Sequence, residues 1–317
     1  MRCRVCLLSL AVLLAGTAGR ADDALKQALA LEEAIQQATA KAEPSIACIL
    51  VSRSDAYRKF DARLGKPVPG KLGDFQPQAQ RFHGHGAEVM ARLNMATIDY
   101  VPDGYGSGVV IDPDGLILTN YHVVRDATKV FVRLPGRPGW YADIHAADER
   151  SDLAVLKLIN LHERLPALPM GDGSKLKKGQ FILALANPFA AGFRDGNPSV
   201  TWGLLSNLRR RVPGETNEVE RRRPRLHYYG VLLQTDLRLN LGTSGGALLD
   251  LKGNWVGLTT AQAAVAGGDT AGGFAVPLDA RMSRIIDVLR RGEEVEYGFL
   301  GISLQQFPNT EGVFVNF

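Results

Sequence analysis

Asn240-Leu241-Gly242-Thr243-Ser244-Gly245-Gly246 is the stretch from which the rest of the chain is read. A serine set among glycines sits on a tight turn, with its Oγ exposed and the nearby backbone able to come close to a bound group. Gly242 can adopt a backbone conformation that other residues resist. That aims its N–H, beside that of Ser244, at a developing oxyanion, with Thr243 as a third candidate member of the hole. Gly-x-Ser-x-Gly also describes the nucleophile elbow of a parallel α/β sheet, so the turn alone leaves two folds open.

The other groups that a serine nucleophile needs decide between them. A serine hydroxyl is a poor nucleophile until a histidine takes its proton and a carboxylate orients that histidine. His122 lies in Thr119-Asn120-Tyr121-His122-Val123-Val124, straight after an apolar strand. Asp152 lies in Ser151-Asp152-Leu153-Ala154-Val155-Leu156, just ahead of another. The order is His122, Asp152, Ser244, whereas elbow-type hydrolases run serine, acid, histidine.

Short apolar runs punctuated by Gly, Asp and Pro surround these sites. A first set of strands is expected at 46–51, 107–111, 116–119, 130–134, 141–147 and 153–159. A second set is expected at 181–186, 200–208, 231–235, 246–250, 255–260 and 273–277. Asp112-Pro113-Asp114-Gly115 and Lys252-Gly253-Asn254 read as hairpin turns. No helical crossovers separate the strands, which argues for two antiparallel barrels with the reactive groups meeting at their seam. Leu278, Met282, Ile285, Ile286 and Leu289 then mark one face of a helix, capped by Asp279, ended by Gly292 and placed to seal the second barrel.

Thr-Asn-x-His-Val-Val, Ser-Asp-Leu-Ala-Val-Leu-Lys, and Gln234-Thr235-Asp236 leading to Gly-Thr-Ser-Gly-Gly together resemble the HtrA (Deg) branch of trypsin-like proteases. Ala186-Asn187-Pro188-Phe189 and Gly272-Gly273-Phe274-Ala275-Val276-Pro277 carry the same resemblance, which covers roughly residues 44–289. It implies an all-β fold, the chymotrypsin/trypsin-like double six-stranded antiparallel β-barrel with a C-terminal helix. The barrels would span about 44–165 and 170–278 within a protease domain of 44–292. It also implies a serine endopeptidase of protein quality control, without metal or cofactor, acting on unfolded polypeptides and assembled as a trimer.

Under the same resemblance Thr259, Thr260, Ala261 and Gln262 form the edge that pairs with substrate backbone, a mode that favours unfolded chains. Arg238 and Leu241 fall in the substrate-binding stretch. Ala263, Ala264 and Val265 fit small aliphatic residues at the cut, while Arg238 aimed into the pocket would select acidic ones. Leu241 stands where the branch usually has proline. Thr243 stands where digestive relatives carry the aspartate that grips a new N-terminus, so loop ordering is the expected switch. The competing reading is a non-catalytic chaperone or scaffold module on a protease fold.

Around this domain, Arg2, Arg4, the apolar run 5–18 and Gly19-Arg20-Ala21 read as a signal peptide of residues 1–21. The run is too short for a membrane span, which takes about 20 residues, so no stable membrane insertion is expected after cleavage. Export to a bacterial periplasm or exterior follows. Removing those three arginines and no acid takes the formal charge from +4 to +1, which gives no case for nucleic acid as a partner. Cys3 and Cys6 leave too, so Cys48 has no internal partner.

A helix is expected over 22–43, striped by Leu25, Leu29, Leu31 and Ile35. Residues 53–104 form a long insert. The arginine-rich stretch 209–225 reads as a solvated loop, with a docking surface for acidic partners or anionic envelope polymer as the alternative. Tyr297-Gly298-Phe299-Leu300-Gly301-Ile302 resembles the opening of a PDZ domain, giving a truncated start over 293–317. His83 and His85 lack the further ligands of a metal site. Trp140, Trp202 and Trp255 read as packing residues.

Overall fold

The computed structural model describes residues 3–55, 57, 93–97, 100–210, 231–260, 272–298, 303–305 and 314–316, with side chains described between Asp23 and Gly298. Helix α1 (Cys3–Ala42) leads into β1 (Ile46–Ser52), and β2 (Gly104–Asp112) and β3 (Leu116–Asn120) follow the insert. After the short helix α2 (Tyr121–Val124) come β4 (Lys129–Arg133), β5 (Trp140–Asp148) and β6 (Leu153–Leu158). The second set is β7 (Phe181–Ala186), β8 (Ser199–Arg210), β9 (Leu232–Thr235), β10 (Ala247–Asp250), β11 (Trp255–Thr260) and β12 (Gly273–Pro277). Helix α3 (Ala280–Arg290) and a small pair, β13 (Ser303–Gln305) with β14 (Phe314–Asn316), complete the described chain.

The strands close into two antiparallel barrels, ordered β1-β2-β3-β6-β5-β4 and β10-β11-β12-β9-β8-β7. This is the chymotrypsin-like architecture that the order of the reactive residues required. Alternation along the strands fills each barrel. Ala47, Ile49 and Val51 of β1 pack inside the first with Ile117, Val132 and Leu156. Ile182, Ala184, Leu233, Leu248 and Val256 fill the second. Residues on the opposite faces, including Ile46, Val109, Leu118, Leu183, Leu185 and Trp255, form a third cluster at the seam.

Trp255 anchors that seam, 0% exposed, with its indole N–H donating to the Gly257 carbonyl at 2.8 Å. Truncation of a buried tryptophan costs about 3–5 kcal/mol. Trp255→Ala is therefore expected to lower unfolding free energy by that amount in denaturant titration, and a loss below about 1 kcal/mol contradicts the packing described. Trp202 behaves differently: it is 53% exposed on the outer face of β8, beside Phe181, and shares that face with its cross-strand partner Leu183, which the seam covers.

Helices α1 and α3 differ from the sequence expectation in extent and packing. Helix α1 runs on through residue 21 to Cys3, since no proline precedes Pro44 and the segment is rich in Ala and Leu. Its N-terminal stripe is unpacked, with Leu25 and Leu29 exposed. Ile35, Ala38 and Ala42 do pack on the seam, and Lys41 donates to the Lys252 carbonyl at 3.3 Å. Helix α3 begins at an Asp279 carboxylate that accepts the Met282 N–H at 2.9 Å. It packs on β5 and β6 of the first barrel and joins the seam cluster through Met282, Ile285, Ile286 and Leu289.

The two ends of the insert meet at its base. The Asp103 carboxylate accepts from the Ser52 hydroxyl at 2.9 Å and from the Arg53 N–H at 2.7 Å, which holds its pKa below the usual aspartate range.

Candidate active site

The pairing of β3 with β6 sets Asn120 opposite Leu153, which brings the residues just beyond those strand ends side by side. The Tyr121 N–H and the Asn120 side-chain amide both donate to the Asp152 carbonyl, at 3.0 and 3.1 Å. Asp152 itself holds φ at +54°, a left-handed conformation disfavoured for a residue with a Cβ. In that conformation its carboxylate faces α2. Oδ1 accepts the His122 backbone N–H at 2.8 Å and Oδ2 lies 2.8 Å from the His122 Nδ1. Asp152 is 2% exposed, so this ion-dipole contact is made away from bulk water, where it is stronger.

On its other side the His122 Nε2 lies 3.0 Å from the Ser244 Oγ, within reach of proton transfer across the barrel seam. The serine comes from the loop between β9 and β10, and β2 of the first barrel fastens that loop. The Ser107 N–H donates to the Ser244 carbonyl at 2.8 Å, and the Ser107 hydroxyl donates to the Gly242 carbonyl at 2.7 Å. Gly245 is at φ +87°, and a Cβ there would collide with the Ser107 carbonyl, so glycine at this position is a condition of the contact.

The orientation of the oxyanion loop follows from one bond. The Leu241 carbonyl accepts the Phe189 N–H at 2.8 Å. Because a trans peptide points its carbonyl and N–H in opposite directions, the Gly242 N–H is turned away from Phe189. Among the described residues no backbone carbonyl accepts it. Phe189 and Ala190 both hold positive φ, 53° and 56°, in the turn that delivers this donor. Thr243 serves the loop internally. Its N–H and its hydroxyl both go to the Asn240 carbonyl, at 3.1 and 2.7 Å, so it braces the turn and offers neither donor to a bound oxyanion.

The remaining expected residues are dispersed. Thr259 is buried in β11, donating its hydroxyl to the Thr243 carbonyl at 2.6 Å and its N–H to the Gly246 carbonyl at 2.9 Å. Thr260 is buried beside it. Arg238 is exposed between the buried Leu237 and Leu239, and Leu241 is exposed. Ala261, Gln262, the adjacent residues 263–265, His83, His85 and the arginines within 211–225 lie outside the described residues. Among the described residues no group of three or more His, Cys, Asp or Glu is placed to hold a metal. Burial pushes the Cys48 thiol up to about 12, which keeps it protonated and unreactive at neutral pH.

Two contributors escaped the sequence reading. Ser107 had a signal, a polar residue inside Gly104-Tyr105-Gly106-Ser107-Gly108, since glycines within a strand mark close backbone approach. Arg53 had none. Its guanidinium donates to the Arg125 carbonyl at 3.0 Å and the Val123 carbonyl at 3.3 Å, the C-terminal end of the helix that carries His122.

Comparison with known proteins follows the same outline. A model of the trypsin-like peptidase domain matches residues 106–258. A Pseudomonas putida protein named "Probable periplasmic serine endoprotease DegP-like" is 31% identical over 275 residues, 87% of this chain and 53% of the relative. A Pseudomonas fluorescens protein of the same name is 37% identical over 201 residues, 63% of this chain and 38% of the relative. The chain thus spans about half the length, or less, of these curated relatives. A solved structure of the HtrA-type protease AlgW with a tripeptide superimposes with a TM-score of 0.56 at 26% identity, over 86% of this chain and 68% of the other.

Proposed function

Because the chain carries an HtrA/Deg-like, trypsin-type protease domain, we propose that it is a serine endopeptidase whose nucleophile is Ser244. The Ser244 Oγ attacks the scissile carbonyl carbon while its proton passes to the His122 Nε2. The Asp152 carboxylate holds the imidazole with its proton on Nδ1 and stabilises the imidazolium that forms. The Gly242 and Ser244 N–H groups receive the oxyanion. His122 then gives its proton to the leaving amine, the C–N bond breaks, and an acyl-enzyme remains on Ser244. A water molecule, deprotonated by His122, releases it.

The observation that carries this reading is the continuous contact from Asp152 through His122 to Ser244, at 2.8 and 3.0 Å, with the Gly242 N–H beside it and unengaged by a described backbone carbonyl. The substrates proposed are unfolded polypeptides of the bacterial periplasm, with Thr259, Thr260, Ala261 and Gln262 proposed as the residues that pair with their backbone. Small aliphatic residues are proposed at the cut. A trimer is the proposed assembly, and export is supported by the periplasmic relatives. Among the described residues no helix is long and apolar enough to cross a membrane.

A fluorophosphonate probe tests the reading. The expected result is one adduct, mapped by mass spectrometry to Ser244 and lost in Ser244→Ala together with casein cleavage. Failure of the folded protein to label would favour the scaffold reading, and an adduct elsewhere would displace Ser244 from its role.

A further inference from the structure

The conformation of Asp152 needs explaining, because a left-handed aspartate persists only where its surroundings hold it. Part of the hold is local. The turn between β5 and β6 closes through the Asp152 N–H on the Glu149 carbonyl, at 3.2 Å. It closes again through the Ser151 N–H on the Asp148 Oδ2, at 2.9 Å. The rest comes from far along the chain. After α3, Val295 is buried in the seam cluster and the chain turns back to place Tyr297 on this turn. The Tyr297 hydroxyl donates to the same Asp148 Oδ2. The Arg150 guanidinium carbon lies 4.2 Å from the centre of the Tyr297 ring, a cation–π contact. Burial, with the Asp148 carboxylate adding to it, pushes the Tyr297 hydroxyl up to about 12, so it remains a donor at neutral pH.

We propose that Tyr297 is a positioning residue for the catalytic acid: by clamping Asp148 and Arg150 it holds the turn that presents the Asp152 carboxylate to His122. Tyr297 touches none of the reacting groups. It acts through four residues, 148 to 151. This inference rests on the serine endopeptidase reading above.

The test uses the full chain and the rate of fluorophosphonate labelling, separated into the maximal rate constant and the probe concentration at half-maximal rate. Tyr297→Phe removes the hydroxyl and keeps the ring. The maximal rate is expected to fall about threefold to tenfold, the equivalent of one hydrogen bond, with half-saturation and thermal midpoint unchanged. Asp148→Ala is expected to slow labelling at least as much, and adding Tyr297→Phe to it to cost nothing further. An unchanged maximal rate, with or without a lower midpoint, marks Tyr297 as structural and overturns the proposal, as do additive losses in the double variant. Absence of labelling in the parent chain is a separate failure, that of the endopeptidase reading itself.

Discussion

Asp152→Asn is expected to slow casein cleavage about ten-thousandfold, the loss seen when a triad aspartate becomes an amide in the general scheme of such enzymes. The geometry here gives the reason. The Asp152 Oδ1 is held by the His122 backbone N–H, so an asparagine keeps its carbonyl oxygen there and turns its NH2 toward the His122 Nδ1. Two donors cannot share a hydrogen bond, so Nδ1 becomes the acceptor and the ring proton moves to Nε2. Nε2 is then unable to take the proton of Ser244. Folding should survive, because the turn, the Asn120 contact and the Tyr121 contact all use Asp152 backbone atoms. Cleavage rates and thermal midpoints of parent and variant check this, and a rate loss below about tenfold would remove Asp152 from the proposed triad.

Gly242→Ala is expected to be nearly as damaging, by about a hundredfold to a thousandfold in kcat, the range for loss of one oxyanion donor. At φ +91° a Cβ is strained before any neighbour is considered. It would also stand 2.7 Å from the Asn187 carbonyl, 2.8 Å from the Tyr105 ring and 2.9 Å from the Phe189 N–H. Tyr105 lies in β2 and the buried Asn187 directly follows β7, so both have little room to yield and the loop gives way. The Leu241 carbonyl leaves Phe189 and the Gly242 N–H loses its aim. Ser244, His122 and Asp152 keep their mutual contacts, so KM should change little while kcat falls. A KM rise with kcat preserved would show that Gly242 shapes substrate binding and not the oxyanion site.

Much of this arrangement was legible in the linear chain because its signals are local. Alternating apolar runs between Gly, Asp and Pro located twelve barrel strands, and the order His122, Asp152, Ser244 separated the barrel fold from the elbow fold. What escaped depends on distance in sequence. Ser107 acts on a loop 135 residues away from it, and only the surrounding glycines hinted at the approach. Arg53 reads as a surface charge until α2 is seen above it. The inward bonds of Thr243 to the Asn240 carbonyl were not legible either, because a loop residue beside a serine can donate outward or inward. Trp202, Leu25 and Leu29 stay largely exposed because an apolar side chain has no address until a facing surface covers it, and Phe181 lies beside Trp202 without doing so.

The knot that Asp103 ties around Ser52 and Arg53 has a consequence for how this protein can vary. Just inside that neck Tyr57, Leu93 and Met95 pack on Cys48, Leu50 and Phe131, so the barrel holds both flanks of the insert, and loop-closure entropy grows only slowly with the length between them. The stretch between Tyr57 and Leu93, which are joined by the Tyr57 hydroxyl donating to the Leu93 carbonyl at 2.8 Å, is in effect an exchangeable cassette, open to being lengthened, trimmed or rewritten over generations while the scaffold beneath it stays the same.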